Sequence, residues 1–209
     1  MRANPRTVVA FDLTMTLTHR VEDGITRDQA DRLGYSRAAV GRALRMGWVT
    51  WLPVLAPIHP PVAGAMFTCD AGGKKFDFDK FAYQASRRAR IEPRQVSLLV
   101  ATPSGATTTG GFWPRLSHPG QLGHNLGAVE VLIYFSTHRP QESIRLVGEK
   151  LYGVRHANFT DGYVPDLAVI SPQGNPETLI DYAGSSYSVE RFDEMWKAAF
   201  ASGCSLEVW

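Results

Sequence analysis

Cysteine is nearly absent: Cys69 and Cys204 are the only two among 209 residues. A pair so far apart supplies neither a disulfide framework nor a zinc quartet. Long apolar runs are missing as well. No window approaches about eighteen uninterrupted apolar residues, so no membrane span is expected. The opening Met1-Arg2-Ala3-Asn4-Pro5-Arg6 lacks the apolar core and small-residue cleavage pattern of a secretory signal. There are no repeats and no long low-complexity tracts. Gly72-Gly73 is not set in the G-x-x-x-x-G-K-[ST] frame of a phosphate loop. The histidines have no metal-ligand spacing, since His118 and His124 are separated by Pro119-Gly120 and His138 and His156 stand alone. These absences lead to the expectation of a reduced, cytoplasmic chain with no membrane partner.

What remains is an ordinary globular composition, 44% hydrophobic and 20% charged, long enough for one large domain or two small ones. The net charge of +2 conceals an asymmetry. Residues 1–115 hold 16 Lys and Arg against 9 Asp and Glu, whereas residues 116–209 hold 6 against 11. A basic half joined to an acidic half suggests two modules, the first turned toward a polyanion, although clustered solvated charges give the same count.

A motif sits inside the basic half. Ile25 to Leu33 opens like a helix, with Thr26 as N-cap and Gln29 in the capping-box position. Gly34 provides a tight turn, and Ser36 can cap a second helix from Arg37 to about Met46, which Gly47 ends. At 100° per residue, Val40, Ala43 and Leu44 share one face while Arg37, Arg42 and Arg45 fall on the opposite arc. An αα-hairpin with a solvated arginine face has the same pattern, but guanidinium groups also suit phosphates and guanine edges, as a helix-turn-helix requires. Two strands are expected next, Trp48–Leu52 and Ala65–Cys69, with Lys74 and Lys75 at the following turn. Helix-turn-helix plus two strands reads as a winged helix, with the lysines brushing the backbone and a helix from Asp79 to Arg90 after them. Ser36, Arg37, Arg42, Arg45, Lys74 and Lys75 are therefore the candidate contacts to double-stranded DNA. The domain is expected over 1–95, followed by a linker over 96–115, where Thr102 to Gly111 is rich in Thr, Ser and Gly.

The second domain is expected over 116–209. A helix from about Gly120 to Thr137 carries Leu122, Leu126, Val129 and Ile133 at helical spacing, and Pro140 stops it. Strands over Val164–Ile170 and Glu177–Tyr182 flank a turn at Pro172–Pro176. A helix from Ser188 to Ala201, with Phe192, Trp196 and Phe200 as core positions, and a strand from Cys204 to Trp209 complete an α/β order.

Pro165-Asp166 opening one strand and Asp181 in the next resemble the PD-(D/E)xK restriction-endonuclease-like core. That resemblance implies two carboxylates, Asp166 and Asp181, holding Mg²⁺, with Glu130 on the first core helix as a further acidic residue. It also calls for a lysine two residues after Asp181, where this chain has Ala183; Lys197 or Arg191 are the cations that could stand in. The wider pattern is similar to the replication-relaxation family of plasmids and mobile elements. It is carried by His124-Asn125-Leu126-Gly127, Val147-Gly148-Glu149, Val164-Pro165-Asp166, Ile180-Asp181-Tyr182-Ala183-Gly184, Tyr187 with Glu190-Arg191, and Leu206-Glu207-Val208-Trp209. The implied fold is α/β overall, a winged helix fused to a nuclease-like domain. The implied function is DNA binding in replication, mobilisation or regulation. The missing lysine implies an inactive nuclease site and an acidic domain free to meet a protein partner or a second copy. An Mg²⁺-dependent endonuclease using Asp166 and Asp181 is the alternative.

A rival pattern lies at Val8–Thr18. Phe11-Asp12-Leu13-Thr14-Met15-Thr16 resembles the first motif of haloacid-dehalogenase-like phosphatases, which implies a strand ending in Asp12 as nucleophile. Ser136 would then be the second motif, and Asp161 with Asp166 the metal pair. Thr14 replaces that family's acid/base aspartate.

Overall fold

The computed structural model describes residues 5–74, 76–87, 91–113 and 116–209. Its elements are mixed α/β. Helix α1 (Pro5–His19) leads to a short strand β1 (Ile25–Thr26), then helices α2 (Arg27–Arg32) and α3 (Arg37–Arg45). Strands β2 (Val49–Ala56) and β3 (Phe67–Cys69), helix α4 (Phe78–Ser86) and strand β4 (Arg94–Ala101) follow. Helices α5 (Pro103–Thr109), α6 (Pro119–His138) and α7 (Pro140–Ser143) precede strand β5 (Leu146–Gly148) and helix α8 (Glu149–His156). After a 3-10 turn (Ala157–Thr160) come β6 (Leu167–Ile170), β7 (Pro176–Asp181), α9 (Val189–Ser202) and β8 (Ser205–Val208).

These elements form two compact units that interleave along the chain. Unit 1 is Met1–His59 with Glu92–Ile133, and unit 2 is Pro60–Ile91 with Tyr134–Trp209. The linker expected over 96–115 is instead most of β4 and all of α5. The threonine-rich stretch is helical, with its hydroxyls turned back onto the helix's own carbonyls rather than left to solvent. Thr107, Thr108 and Thr109 donate to the carbonyls of Pro103, Ser104 and Gly105 at 3.0, 2.8 and 3.0 Å. Thr102 caps the helix by accepting the Gly105 N–H at 3.1 Å.

Unit 1 is built on a three-stranded antiparallel sheet in the order β1-β4-β2. Strands β2 and β4 pair without a slip from Val49↔Ala101 to Ala56↔Arg94. On one face of this ribbon Ala56, Leu98 and Val100 pack with Leu122 and Leu126 of α6, flanked by Leu52, Val54 and Val96. Contacts from α1 and α5 also reach β4, so the run Leu98–Ala101 is wholly buried. That is why it reads as a continuous apolar stretch rather than an alternating one. Helix α2 begins with the expected capping box: the Thr26 hydroxyl accepts from Gln29 at 3.2 Å, and Gln29 Oε1 accepts from Thr26 at 3.0 Å. Gly105 must be a glycine, since a Cβ there would lie 2.1 Å from the Trp48 carbonyl oxygen. Together with Thr102 N–H to Trp48 O at 2.9 Å, this close approach locks the exit of α3 against α5.

Unit 2 holds a five-stranded sheet in the order β3-β8-β7-β6-β5. Strands β5, β6 and β7 run antiparallel in succession, β7 and β8 are parallel with α9 as crossover, and β3 is antiparallel to β8. Its core gathers Phe67, Tyr152, Leu179, Phe192, Met195, Leu206 and Val208. Phe192 is buried and Trp196 partly so. Phe200 is 51% exposed and stacks on Trp196 at 5.0 Å, so it is not a core residue. Glu207, buried near the sheet's end, accepts from Arg139 Nη1 at 2.6 Å and from Trp209 Nε1 at 3.2 Å.

Strand β3 was expected to pair with β2 as a wing. It pairs with β8 instead, Phe67↔Val208 to Cys69↔Leu206. The partner of β2 is β4, which buries more apolar surface than three residues of β3 could. The fragments 1–95 and 116–209 should therefore not fold separately, because the first lacks most of β4 and the second lacks β3 and α4. A cooperative unfolding transition in isolated 1–95, followed by circular dichroism in urea, would contradict this register.

Candidate functional site

Helix α3 presents the expected arginine surface, with one change. Ser36 caps it, accepting from Ala39 at 3.3 Å, and Ala39, Val40 and Ala43 are buried behind it. Ser36, Arg37, Ala38 and Arg45 are exposed. A Cβ at Gly41 would lie 3.5 Å from Arg45 Nη1, so the Arg45 guanidinium lies along the helix over Gly41. Arg42 is half-buried, and its Nε is buried without a hydrogen-bond partner among the described residues. It therefore stands at the edge of the apolar back rather than in the middle of the exposed arc.

Lys74 is exposed, but in unit 2, on the connection between β3 and α4. It is not at the tip of the strands that follow α3, which corrects the wing expectation; Lys75 lies outside the described residues, as do Arg88 and Arg90. Sequence reasoning missed Arg94, exposed at the far end of the β2–β4 ribbon opposite Ala56. The alternation of Val96, Leu98 and Val100 was the available signal for that strand.

The three carboxylates are divided between the two units. Glu130 belongs to unit 1 and is 2% exposed. Both its oxygens are taken: Arg32 Nη2 reaches Oε2 at 2.7 Å, while Arg32 Nη1 and Gln29 Nε2 reach Oε1 at 3.0 and 2.9 Å. Gln29 also donates to the Leu126 carbonyl at 3.0 Å, tying α2 to α6. Glu130 is thus a buried carboxylate held by a partly exposed arginine, with both oxygens engaged. Its attraction, with that of Asp28, raises the Arg32 pKa.

Asp166 and Asp181 do come together in unit 2. Leu167 faces Ile180 across β6 and β7, so Asp166, just before β6, and Asp181, ending β7, occupy neighbouring positions. Asp166 Oδ2 accepts the Tyr182 N–H at 2.8 Å. Asp181 is 1% exposed and accepts the Tyr163 hydroxyl. Arg191 in the first turn of α9 lies with its guanidinium carbon 5.2 Å from the Tyr163 ring centre and 5.9 Å from that of Tyr187. Burial, then the charge of Asp181, pushes both the Tyr163 and Tyr187 hydroxyls to pKa values well above the ordinary. Lys197 instead pairs with Asp193 at 2.6 Å on its own helix. Position 183 is a fully buried alanine.

The donor set does not suit a resident magnesium ion. Such an ion takes hard oxygen ligands in near-octahedral geometry. Among the described residues no three Asp, Glu, His or Cys side chains converge on a metal position. The two carboxylates present already accept from protein donors.

Compared with protein families, curated proteins and solved structures, the chain has no significant match in any of the three.

The phosphatase pattern does not have its required geometry. Asp12 stands on helix α1 rather than at the end of a strand, and its Oδ2 accepts from Tyr35 at 3.1 Å. Ser136 is likewise helical. Asp161 has φ of 53° and ends the 3-10 turn, a conformation that a short polar side chain tolerates. An apolar hollow of about 360 Å³ in unit 1, walled by Leu52, Val100, Trp113 and Leu116, is lined by no ionisable group among the described residues.

Two outcomes follow from these networks. Arg32→Ala leaves Glu130 buried with Gln29 as its remaining donor, and should destabilise the chain by about 1–3 kcal/mol in urea titration; Gln29→Ala should cost less. The tyrosines set an alkaline limit. Their folded pKa values are raised, so their contribution is full below the ordinary value near 10 and is lost as pH rises above it. Stability measured between neutral and alkaline pH should fall above that value, and fall less steeply in Tyr187→Phe.

Proposed function

We propose that this protein binds double-stranded DNA through unit 1, and that unit 2 is a nuclease-like domain that does not cleave. The observation that carries the reading is the surface of α3. Arg37 and Arg45 are exposed over the small residues Ala38 and Gly41, and Ala39, Val40 and Ala43 seal the other side. Small residues let a helix approach base edges closely, and guanidinium groups serve both guanine and phosphate. The order helix, strand, two helices and two strands, with sheet order β1-β4-β2, supports a winged helix-turn-helix. On that reading the wing is the β2–β4 ribbon, and Arg94 at its end is suited to a phosphate.

For unit 2, the antiparallel run β5, β6, β7 followed by a crossover helix and parallel β8 supports the restriction-endonuclease-like core. The neighbouring positions of Asp166 and Asp181, just before β6 and at the end of β7, support the carboxylate pair that the resemblance implies. Ala183 removes the cation that would orient water and offset charge on the phosphate, a loss of about 10²–10³ in rate for one electrostatic donor. The biological setting in keeping with the sequence resemblance is a plasmid, phage or mobile element, in replication, mobilisation or regulation. Unit 2 would then be free to meet a protein partner or a second copy.

Fluorescence anisotropy on a DNA duplex across salt tests the reading. Arg37→Ala and Arg45→Ala should each weaken binding by roughly 1–3 kcal/mol if the side chain reads a base, or reduce the salt slope by about one if it holds a phosphate. Arg94→Ala should lower affinity with no change in sequence preference. Folded variants with unchanged affinity would remove α3 from the function. Metal-dependent nicking of a plasmid, abolished in Asp166→Asn, would restore the endonuclease alternative.

A further inference from the structure

The sheet face of unit 1 that meets α6 is left uncovered at one end. Thr50, Leu52 and Val54 stand opposite Val100, Leu98 and Val96 on that face. Leu122 and Leu126 of α6 pack against it with Ala56, Leu98 and Val100. Toward Thr50 the cover is incomplete, since Thr50 and Leu52 are only half-buried and the hollow of about 360 Å³ lies beside them. Trp113 and Leu116 complete its wall, and each adjoins an anchored residue. Phe112 N–H donates to the Thr18 carbonyl at 3.0 Å, and Ser117 N–H donates to Asp23 Oδ1 at 2.7 Å. Asp23 is itself buried and accepts from Asn125 Nδ2 of α6 at 2.6 Å. Even so, Trp113 and Leu116 stay 56% and 42% exposed. Large apolar side chains held in place around an apolar hollow lose contact with water only when something enters it. The Thr102 hydroxyl in the wall is already engaged, donating to the Gly47 carbonyl at 2.6 Å and accepting the Gly105 N–H at 3.1 Å. Thr50 supplies the other hydroxyl.

We infer that this hollow binds a small, uncharged aromatic molecule carrying one hydroxyl or similar hydrogen-bonding group. Its volume falls within the range of about 300–1,000 Å³ for small-molecule sites, which are mostly apolar with a few polar groups. Among the described residues no ionisable group lines it, so the desolvation of a charged ligand would go without compensation. Trp113 favours a ring over an aliphatic ligand of the same size, because aromatic pairs gain beyond the area they bury. Thr50 gives that ring its one directional contact. The inference is independent of DNA binding by unit 1 and of cleavage by unit 2, because ligand binding itself is the readout.

Calorimetric titration of 2-naphthol into the full chain tests it. A single saturable site is expected, with a dissociation constant below about 1 mM for a ligand of that size. 2-Naphthoate, the same rings with a carboxylate, should bind at least about tenfold more weakly. Trp113→Ala removes an exposed side chain and should weaken 2-naphthol about tenfold, with folding checked by circular dichroism. Thr50→Val should weaken 2-naphthol and leave naphthalene unchanged. Absence of saturation by 2-naphthol would overturn the inference, as would equal affinity for 2-naphthoate or an unaltered affinity in folded Trp113→Ala. Should Trp113→Ala not fold, the Thr50→Val titrations carry the test, and an unchanged 2-naphthol affinity there would equally overturn it. Self-association of the wild type that rises with concentration and disappears in Trp113→Ala would make the occupant a second copy, and the inference would fail.

Discussion

The unbroken pairing of β2 with β4 is the constraint on which the rest depends. It joins residues 49–56 to residues 94–101 and must close a long connection, whose entropy cost grows only slowly with length. The return is a central strand whose last four residues, Leu98–Ala101, are buried, packed on one side by Leu122 and Leu126. Once that ribbon forms, β3 and α4, which lie between its two strands in the sequence, are left out of unit 1's sheet. Their apolar positions, Phe67, Phe78 and Ala85, are buried in the core of unit 2 instead. Interleaving of the two units is therefore a consequence of one strand pair.

The same ribbon positions the arginine surface. Helix α3 runs into β2 through Gly47, which has φ of 68°, and the Trp48 carbonyl is held by Thr102 at the start of α5. Glu130 anchors α2 to α6 from behind through Arg32 and Gln29. A carboxylate buried that deeply is costly alone and tolerable when every oxygen has a partner. Its role is to hold helices, while Arg37 and Arg45 stay exposed on α3.

Unit 2 handles its own buried acids differently. Glu207 meets Arg139 and the Trp209 indole, whereas Asp181 meets a phenol whose ring lies against an arginine. Arg139 pairs with Glu207 directly, whereas Arg191 pairs with Glu194 on its own helix at 3.3 Å. Arg139 lies 4.2 Å from the Phe135 ring centre, as Arg191 lies over Tyr163. Stacking removes water from one side of the cation and leaves its edge to the acid.

Local features were legible in the sequence because they depend on near neighbours. The capping box at Thr26 and Gln29, the Ser36 cap, the apolar back of α3 and the span of α6 were all readable, since i to i+4 spacing and cap chemistry decide them. So was the adjacency of Asp166 and Asp181, because a short turn fixes the hairpin register. Partners distant in the chain were not readable. No local pattern distinguishes β3 as the partner of β8 from β3 as the partner of β2. The threonines of α5 look like a loop until their hydroxyls are seen bonding back. Glu130 resembles a catalytic acid until Arg32, nearly a hundred residues earlier, is found on it. Composition and short-range spacing determined where helices begin, which faces are apolar and where charge lies. Tertiary packing decided which strand pairs with which and which cation each buried acid receives, because those choices are settled by burial and desolvation over the whole unit.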